Sequence, residues 1–278
     1  AGGAYVPLDP TYPAERLAFM LEDAAVPVLL TQASLLGVLP VAETQVICLD
    51  REWPAMALNP TTNLHSPVQP HHLAYVLYTS GSTGRPKGAI NHHKGLSNLL
   101  HDLQRIHGLT QADSTLQTTA FSFDVATAEM LWPLLWGARL ILIRPDGQRD
   151  STYLVTLLKQ HGVTTLHVVP TLLQLLLEER EFMNLRALRR VLAAGEALSF
   201  RLQQRFLFHP TARLHNWYGP TETTIYVTSW SCQNDSLPGI VPIGRPVANT
   251  QAYILDVHRQ PAPVGVAGEL HIGGVQVG

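Results

Sequence analysis

LAYVLYTSGSTGRPKGAINHHKG, residues 73–95, sets a short apolar run against a polar loop. Residues 73–78 are aliphatic and aromatic, which predicts a buried strand. The run stops at Thr79. Gly81, Gly84 and Gly88 then let the backbone turn and approach a ligand closely. Thr79, Ser80, Ser82 and Thr83 supply hydroxyls, and successive backbone N–H groups can form a concave anion nest. Arg85 and Lys87 add positive charge. These are the parts that wrap a polyphosphate. The P-loop pattern GxxxxGK(S/T) does not fit, because Lys87 lies between Pro86 and Gly88 and no helix starts there. A flexible Gly/Ser linker is the plain alternative, but linkers seldom follow a buried strand directly or end in Arg-Pro-Lys.

The chain has 278 residues, 46% hydrophobic and 14% charged, enough for a large core and one or two domains. A formal net charge of -2 gives no basic excess to attract nucleic acid or an anionic membrane, so any anion is caught locally. Two distant cysteines, Cys48 and Cys232, point to a reducing, cytoplasmic compartment. His71/His72 and His92/His93 are adjacent pairs, without the i, i+4 spacing of a helical zinc site. No apolar run reaches transmembrane length. The AGGAYVPLDP start and GGVQVG end carry no cap or closing turn, and both read as cut from the interior of a longer polypeptide.

Periodicity predicts helices over residues 13–25, 94–106, 151–160, 170–179 and 199–208, with another starting at 125–131. Strands are expected at 26–30, 46–49, 114–120, 140–143, 163–169, 189–194, 251–255 and 268–272. The leucines of 170–179 cover most of that helix, so it is expected to be well buried. Alternating strands and helices imply an α/β fold with a doubly wound, mostly parallel sheet over residues 1–250. Closer strands over 251–278 imply the start of a smaller β-rich subdomain.

Two further stretches could carry chemistry. NWYGPTETT, residues 216–224, offers Tyr218 to stack on a purine, Thr221 to bind phosphate and Glu222 to hold Mg²⁺, a hard cation that prefers oxygen. A plain turn capped by Thr221 fits equally well. In FSFDVATAEM, Asp124 stands where a strand gives way to a helix, a position that also suits a simple N-terminal cap.

In order along the chain, TSGSTGRPKG, AAGEALS, NWYGPTETT and GELHIGGVQVG resemble the adenylate-forming enzymes. AYVPLDP and FDV are similar to segments of the amino-acid-activating (adenylation) domains of nonribosomal peptide synthetases. His93 matches the family's HRGL position, with Lys94 in place of Arg. The resemblance covers nearly the whole chain. It implies that Thr79, Ser80, Gly81, Ser82, Thr83, Gly84 and Lys87 bind the ATP phosphates. Gly195, Glu196, Asn216, Tyr218, Gly219 and Thr221 hold the nucleotide, and Thr221, Glu222 and Lys87 serve the chemistry. Glu222 is the implied Mg²⁺ ligand. Asp124 pairs with the α-ammonium of an amino acid, which a simple acyl substrate lacks. Val125, Ala128, His167, Leu192, Ala194, Trp217, Ile225 and Tyr226 are the implied side-chain pocket, with the two alanines opening space and Trp217 and Tyr226 filling it. Partners implied are the carrier domain with its phosphopantetheine and the condensation domain of the same synthetase, and neither nucleic acid nor membrane. The ribose-binding Asp and a catalytic Lys on a small C-terminal domain belong to motifs beyond Gly278, so the segment alone is expected to adenylate poorly. An acyl- or aryl-acid ligase and a silent binding domain are the alternatives.

Overall fold

The computed structural model describes residues 2–39, 44–80, 85–233 and 239–278. The chain forms two compact units, Ala1–His93 and Lys94–Gly278.

In the first unit, helix α1 (Ala14–Asp23) buries Leu17, Met20 and Leu21 at helical spacing. Strands β1 (Val28–Thr31) and β2 (Gln45–Cys48) pair in parallel. Helix α2 (Leu49–Met56) carries Pro54 in its interior and buries no residue, so its sequence announces no helix. Strand β3 (Leu73–Ser80) runs antiparallel to β4 (Pro86–His92). The apolar half of this hairpin was legible in the sequence. Its return strand was hidden by Lys87 and Gly88, both exposed. Tyr5 joins the edge of β3, donating to Ala74 O at 3.2 Å and accepting from Val76 N at 2.9 Å. Its ring stacks on Tyr75 at 5.6 Å. That places AYVPLDP beside the strand that leads into the glycine-rich loop.

The second unit contains α3 (His93–His107, all but its first residue), β5 (Ser114–Gln117), α4 (Val125–Leu135), β6 (Arg139–Leu142) and α5 (Ser151–Gln160). It continues with β7 (Thr165–Val168), α6 (Pro170–Leu176), β8 (Arg190–Ala193), α7 (Phe200–Phe206) and β9 (Arg213–Tyr218). Strands β10 (Thr228–Ser231), β11 (Arg245–Pro246), β12 (Thr250–Leu255) and β13 (Glu269–Gly274) complete it. Seven strands form one sheet in the order β11-β10-β9-β8-β7-β5-β6. From β6 to β9 all pairs are parallel, and β10 and β11 add an antiparallel edge. Strands β12 and β13 form a separate antiparallel pair.

Helices cover both faces of the parallel strands, which is why all four residues of β7 are buried, its Thr165 and His167 included. Leu166, Val168, Val191, Ala193 and Leu214 join a core with Leu154 and Leu158 of α5, Leu173 and Leu176 of α6, and Phe206 of α7. The alternate residues turn the other way. His167, Leu192 and His215 are register partners in one row across β7, β8 and β9. His107 of α3 and Trp132 of α4 pack in that region, against His215 and His167 respectively.

Helix α6 corrects one expectation. It stops at Leu176, three residues short of Glu179, and buries only the stripe Pro170, Leu173 and Leu176. Leu175 is 50% exposed, so a leucine-rich sequence does not bury this helix all round.

Candidate functional site

In strand order β6-β5-β7-β8-β9, the connections reverse direction between β5 and β7. Open α/β sheets bind ligands beyond the carboxyl ends of their strands at such a reversal. Asp124 lies there, after β5 and at the entry to α4. It is not a helix cap: its backbone is already helical and its side chain makes no cap hydrogen bond. The carboxylate is buried, hydrogen-bonded to Thr221 and close to Glu222. Burial pushes it up to about 6, the backbone N–H of Val125 and the Thr221 contact oppose that, and the Glu222 charge adds to it. Two motifs almost a hundred residues apart in the sequence therefore place their functional groups side by side.

The residues expected to line a side-chain pocket follow the pleat. Ala194 lies two residues beyond Leu192, and Trp217 two beyond His215, on the face away from the main core. Ala128 comes from α4, and Ile225 and Tyr226 from the loop before β10. His167 Nδ1 lies 3.3 Å from the Tyr226 hydroxyl. Burial alone drives His167 down to about 4, so it is neutral near pH 7. Burial also raises the Tyr226 phenol well above its ordinary range, helped by the nearby Glu129 and Asp124 carboxylates. Val125 is half-buried.

Tyr218, expected to stack on a purine, ends β9 and is 37% exposed. Gly219 is required by close packing: an added Cβ would lie 2.3 Å from Ile225 O. Thr224 and Ile225 both adopt left-handed backbone, at φ 58° and 68°, a strained state for a β-branched residue. What holds them is Gln276, 1% exposed. Its Nε2 donates toward Thr223 O, Thr224 O and Tyr226 O at 3.3, 3.2 and 2.8 Å. The Thr224 hydroxyl donates to Gln276 O at 2.8 Å, and Gly278 N to Glu222 O at 2.9 Å. The terminal GGVQVG segment thus clamps the loop that bears Thr221 and Glu222.

Gly195 adopts φ 83°, which makes glycine the natural residue at this turn. The Glu196 carboxylate is already engaged, accepting from Thr171 N at 3.0 Å and Thr171 Oγ1 at 2.5 Å, at the start of α6. Asn216 Nδ2 donates to Pro242 O at 2.9 Å and ties β9 to the following segment. In the first unit Thr79 and Ser80 end β3, and Lys87 is exposed opposite Thr79 in the hairpin register. Gly81, Ser82, Thr83 and Gly84 lie outside the described residues. A cleft of about 820 Å³ beside Ser80 and Arg85 is lined by Glu15, Glu22 and Asp23 as well as Arg16, a mixed-charge wall unlike a phosphate cradle.

Glu222 is exposed, and its carboxylate with the nearby Thr221 hydroxyl offers hard oxygen donors. Among the described residues no cluster of three or more His, Cys, Asp or Glu forms a metal cage. That donor set fits Mg²⁺, which takes one or two carboxylates and fills its remaining positions with phosphate and water. No helix among the described residues is long and apolar enough to cross a membrane.

Sequence reasoning missed four residues. Glu129 is fully buried in α4, its carboxylate held by the Thr118 hydroxyl at 3.2 Å and by Thr119 N and Oγ1 at 3.0 Å each. Burial pushes it up to about 7, against the pull of those Thr119 and Thr118 contacts. The adjacent threonines were its one sequence signal. His107 packs against Trp217 and Trp132 against His167, and Gln276 clamps the loop. All three are ordinary residues in ordinary periodic or glycine-rich context.

Residues 1–278 match the family model described as AMP-binding enzyme. The chain is 43% identical over 274 residues to tyrocidine synthase 3 of Brevibacillus parabrevis, covering 99% of the chain and 4% of that protein. It is 46% identical over 281 residues to phosphinothricin tripeptide synthetase PhsB of Streptomyces viridochromogenes, covering 100% of the chain and 23% of that protein. The chain therefore spans a small part of these relatives. Among solved structures, the AMPPNP-bound nonribosomal peptide synthetase FmoA3 superposes with a TM-score of 0.90 at 31% identity, over 99% of this chain and 30% of that one. The same protein bound to α-methyl-L-serine-AMP gives 0.90 at 30% identity.

Proposed function

This chain belongs to the AMP-binding enzyme family, and from that premise we propose that it is part of the core of an adenylation domain of a nonribosomal peptide synthetase. The intact protein activates an α-amino acid with ATP, forming aminoacyl-AMP and releasing pyrophosphate, then passes the aminoacyl group to the phosphopantetheine thiol of a carrier domain. A condensation domain of the same cytoplasmic synthetase consumes the product. Residues 1–250 supply its α/β part, and 251–278 open a β-rich subdomain.

The observation that carries this reading is the buried Asp124 carboxylate beside Thr221 and Glu222. A desolvated carboxylate is stabilised by an ammonium and left unpaired by a substrate without one. Asp124 holds the α-ammonium, so that the substrate carboxylate points at the ATP α-phosphorus. Val125, Ala128, His167, Leu192, Ala194, Trp217, Ile225 and Tyr226 enclose its side chain.

Tyr218 stacks on adenine, while Gly195, Glu196 and Asn216 shape the nucleotide pocket through backbone and packing. Thr221 hydrogen-bonds phosphate, and Gly219 permits the tight turn that presents it. Thr79, Ser80, Gly81, Ser82, Thr83, Gly84 and Lys87 bind the β- and γ-phosphates. Mg²⁺, held by Glu222, supplies charge neutralisation for the phosphates when bound. Phosphoryl chemistry of this kind needs positioning and electrostatics more than covalent help.

ATP–pyrophosphate exchange by the intact protein tests the reading. Exchange with an α-amino acid that Asp124→Ala reduces by at least about 100-fold supports it, the loss expected when a charge-assisted contact made by the substrate is removed. Equal exchange by the variant, or activation of an acid lacking the amine, refutes it and favours an acyl- or aryl-acid ligase.

A further inference from the structure

The inner wall of the pocket is a closed ring of five aromatic side chains. Its centroid distances run Tyr226–His167 6.3 Å, His167–Trp132 6.1 Å, Trp132–His107 5.8 Å, His107–Trp217 5.7 Å and Trp217–Tyr226 5.2 Å. Trp132, Trp217 and Tyr226 are among the largest fully buried side chains of the protein. Trp132 is further fixed by its indole N–H, which donates to Gln104 Oε1 at 3.1 Å. His215 braces the ring from β9, its imidazole 4.6 Å edge-on from His107.

Two consequences follow. First, the room expected around the alanines is largely taken up: Ala128 and Leu192 expose nothing, and Ala194 exposes 5%. Close-packed walls of this kind resist extra methylenes. Second, the floor carries no charge to meet a charged side chain. Burial drives His107 down to about 2, with the His215 and Arg190 charges adding to it, and His167 down to about 4, so both are neutral. The buried Glu129 carboxyl near Tyr226 is already held by Thr118 and Thr119.

We propose that this protein selects a small, uncharged α-amino acid, with a side chain no larger than that of valine or threonine. His107 and Trp132 set the limit by bracing Trp217 and His167 from behind. The proposal rests on the adenylation reading above and narrows its substrate. His107 and Trp132 are positioning residues that do not touch the amino acid.

The test is ATP–pyrophosphate exchange by the intact protein with the twenty amino acids and their amine-less counterparts. Glycine, alanine, serine, threonine or valine is expected to exceed leucine, phenylalanine, aspartate and lysine by at least about 10-fold in kcat/KM, the discrimination one methylene gives. Trp217→Ala is expected to move the ratio toward leucine or phenylalanine by about 10-fold or more. His107→Ala is expected to move it the same way, through KM with kcat little changed, and His107→Phe to restore the wild-type profile. A wild-type preference for a large or charged amino acid overturns the size limit and leaves the adenylation reading standing. Exchange confined to amine-less acids overturns that reading and the proposal with it. Should the variants fail to fold, the wild-type panel alone decides.

Discussion

Replacing Gln276 by Leu keeps the volume at a 1% exposed site while removing the carboxamide that spans three carbonyls. Thr224 O keeps a second partner in Tyr226 N at 2.9 Å. Asn98 Nδ2 gives up Gln276 Oε1 but keeps Ala248 O at 2.8 Å, so the loss falls on Tyr226 O, bonded at 2.8 Å, and Thr223 O, at 3.3 Å. A buried acceptor left unsatisfied costs about 1–3 kcal/mol. Two of them, the second weakly bonded, amount to about 3 kcal/mol. The left-handed pair Thr224 and Ile225 stores strain that the clamp restrains, so the free energy is released locally by opening residues 219–227. About 3 kcal/mol is roughly a 100-fold change in an opening equilibrium. Hydrogen-exchange mass spectrometry should show the Val227 amide, bonded to Tyr218 O at 2.8 Å, exchanging about 100-fold faster in Gln276→Leu. Amides of α5 should be unchanged. ATP affinity should fall in parallel, because the loop carries Thr221 and Glu222. Acceleration below about 3-fold would refute the view that this glutamine holds the loop.

Gly219→Ala places a methyl 2.3 Å from Ile225 O and is expected to destabilise by about 2 kcal/mol or more, read as a lowered urea midpoint with weakened nucleotide binding. Asp113→Ala removes a buried carboxylate that accepts from Arg190 Nη1 at 3.1 Å, Thr164 Oγ1 at 2.8 Å and Thr110 N at 2.9 Å. It leaves the Arg190 charge without its carboxylate, keeping only Thr165 Oγ1 at 3.1 Å, for a loss of about 3 kcal/mol in the same urea assay. Glu129 titrates higher in the folded protein, near 7, than in the unfolded chain, near 4.5. Its contribution to stability is therefore present at low pH and lost as pH rises between those values. The difference in unfolding free energy, Glu129→Gln minus wild type, should climb by about 3 kcal/mol from pH 4.5 to pH 7, and a flat difference would sink the assignment. His215 behaves oppositely. Burial, then the Arg213 and Arg190 charges, drive it down to about 4, so its contribution is full above pH 6.5 and lost on acidification. His215→Gln should flatten the acid limb by about 1.4 kcal/mol per pH unit between 6.5 and 4.

What the sequence revealed was decided by contrast with its surroundings. Strands β7, Thr-Leu-His-Val, and β8, Arg-Val-Leu-Ala, lie in stretches rich in aliphatic and β-branched residues (163–169 and 190–194), so both were legible, and with them the parallel sheet. Strand β10, Thr-Ser-Trp-Ser, is polar on a half-covered edge and shows no period that separates it from a loop. Asp124, Tyr218 and Glu222 stood out as candidates because their neighbours form motifs. The Gln276 clamp was not, since its partners are backbone carbonyls fifty or more residues away, which no local spacing encodes. His107 and Trp132 lie one residue past the helical stretches read at 94–106 and 125–131, and their packing arises only where α3 and α4 meet the sheet. Glu129 sits in the apolar stretch of α4, where charge patterning alone suggests an exposed position.

The pleat of β7 and β8 divides labour between neighbours in sequence. Leu166, Val168, Val191 and Ala193 anchor the hydrophobic interior, while His167, Leu192 and Ala194 belong to the opposite side. On the adenylation reading proposed above, exchanges at 167, 192 or 194 would change which monomer is accepted while leaving the anchoring set intact, whereas a single inserted residue in either strand would swap the two groups and ruin both at once. Selectivity would then drift by point substitution and not by insertion.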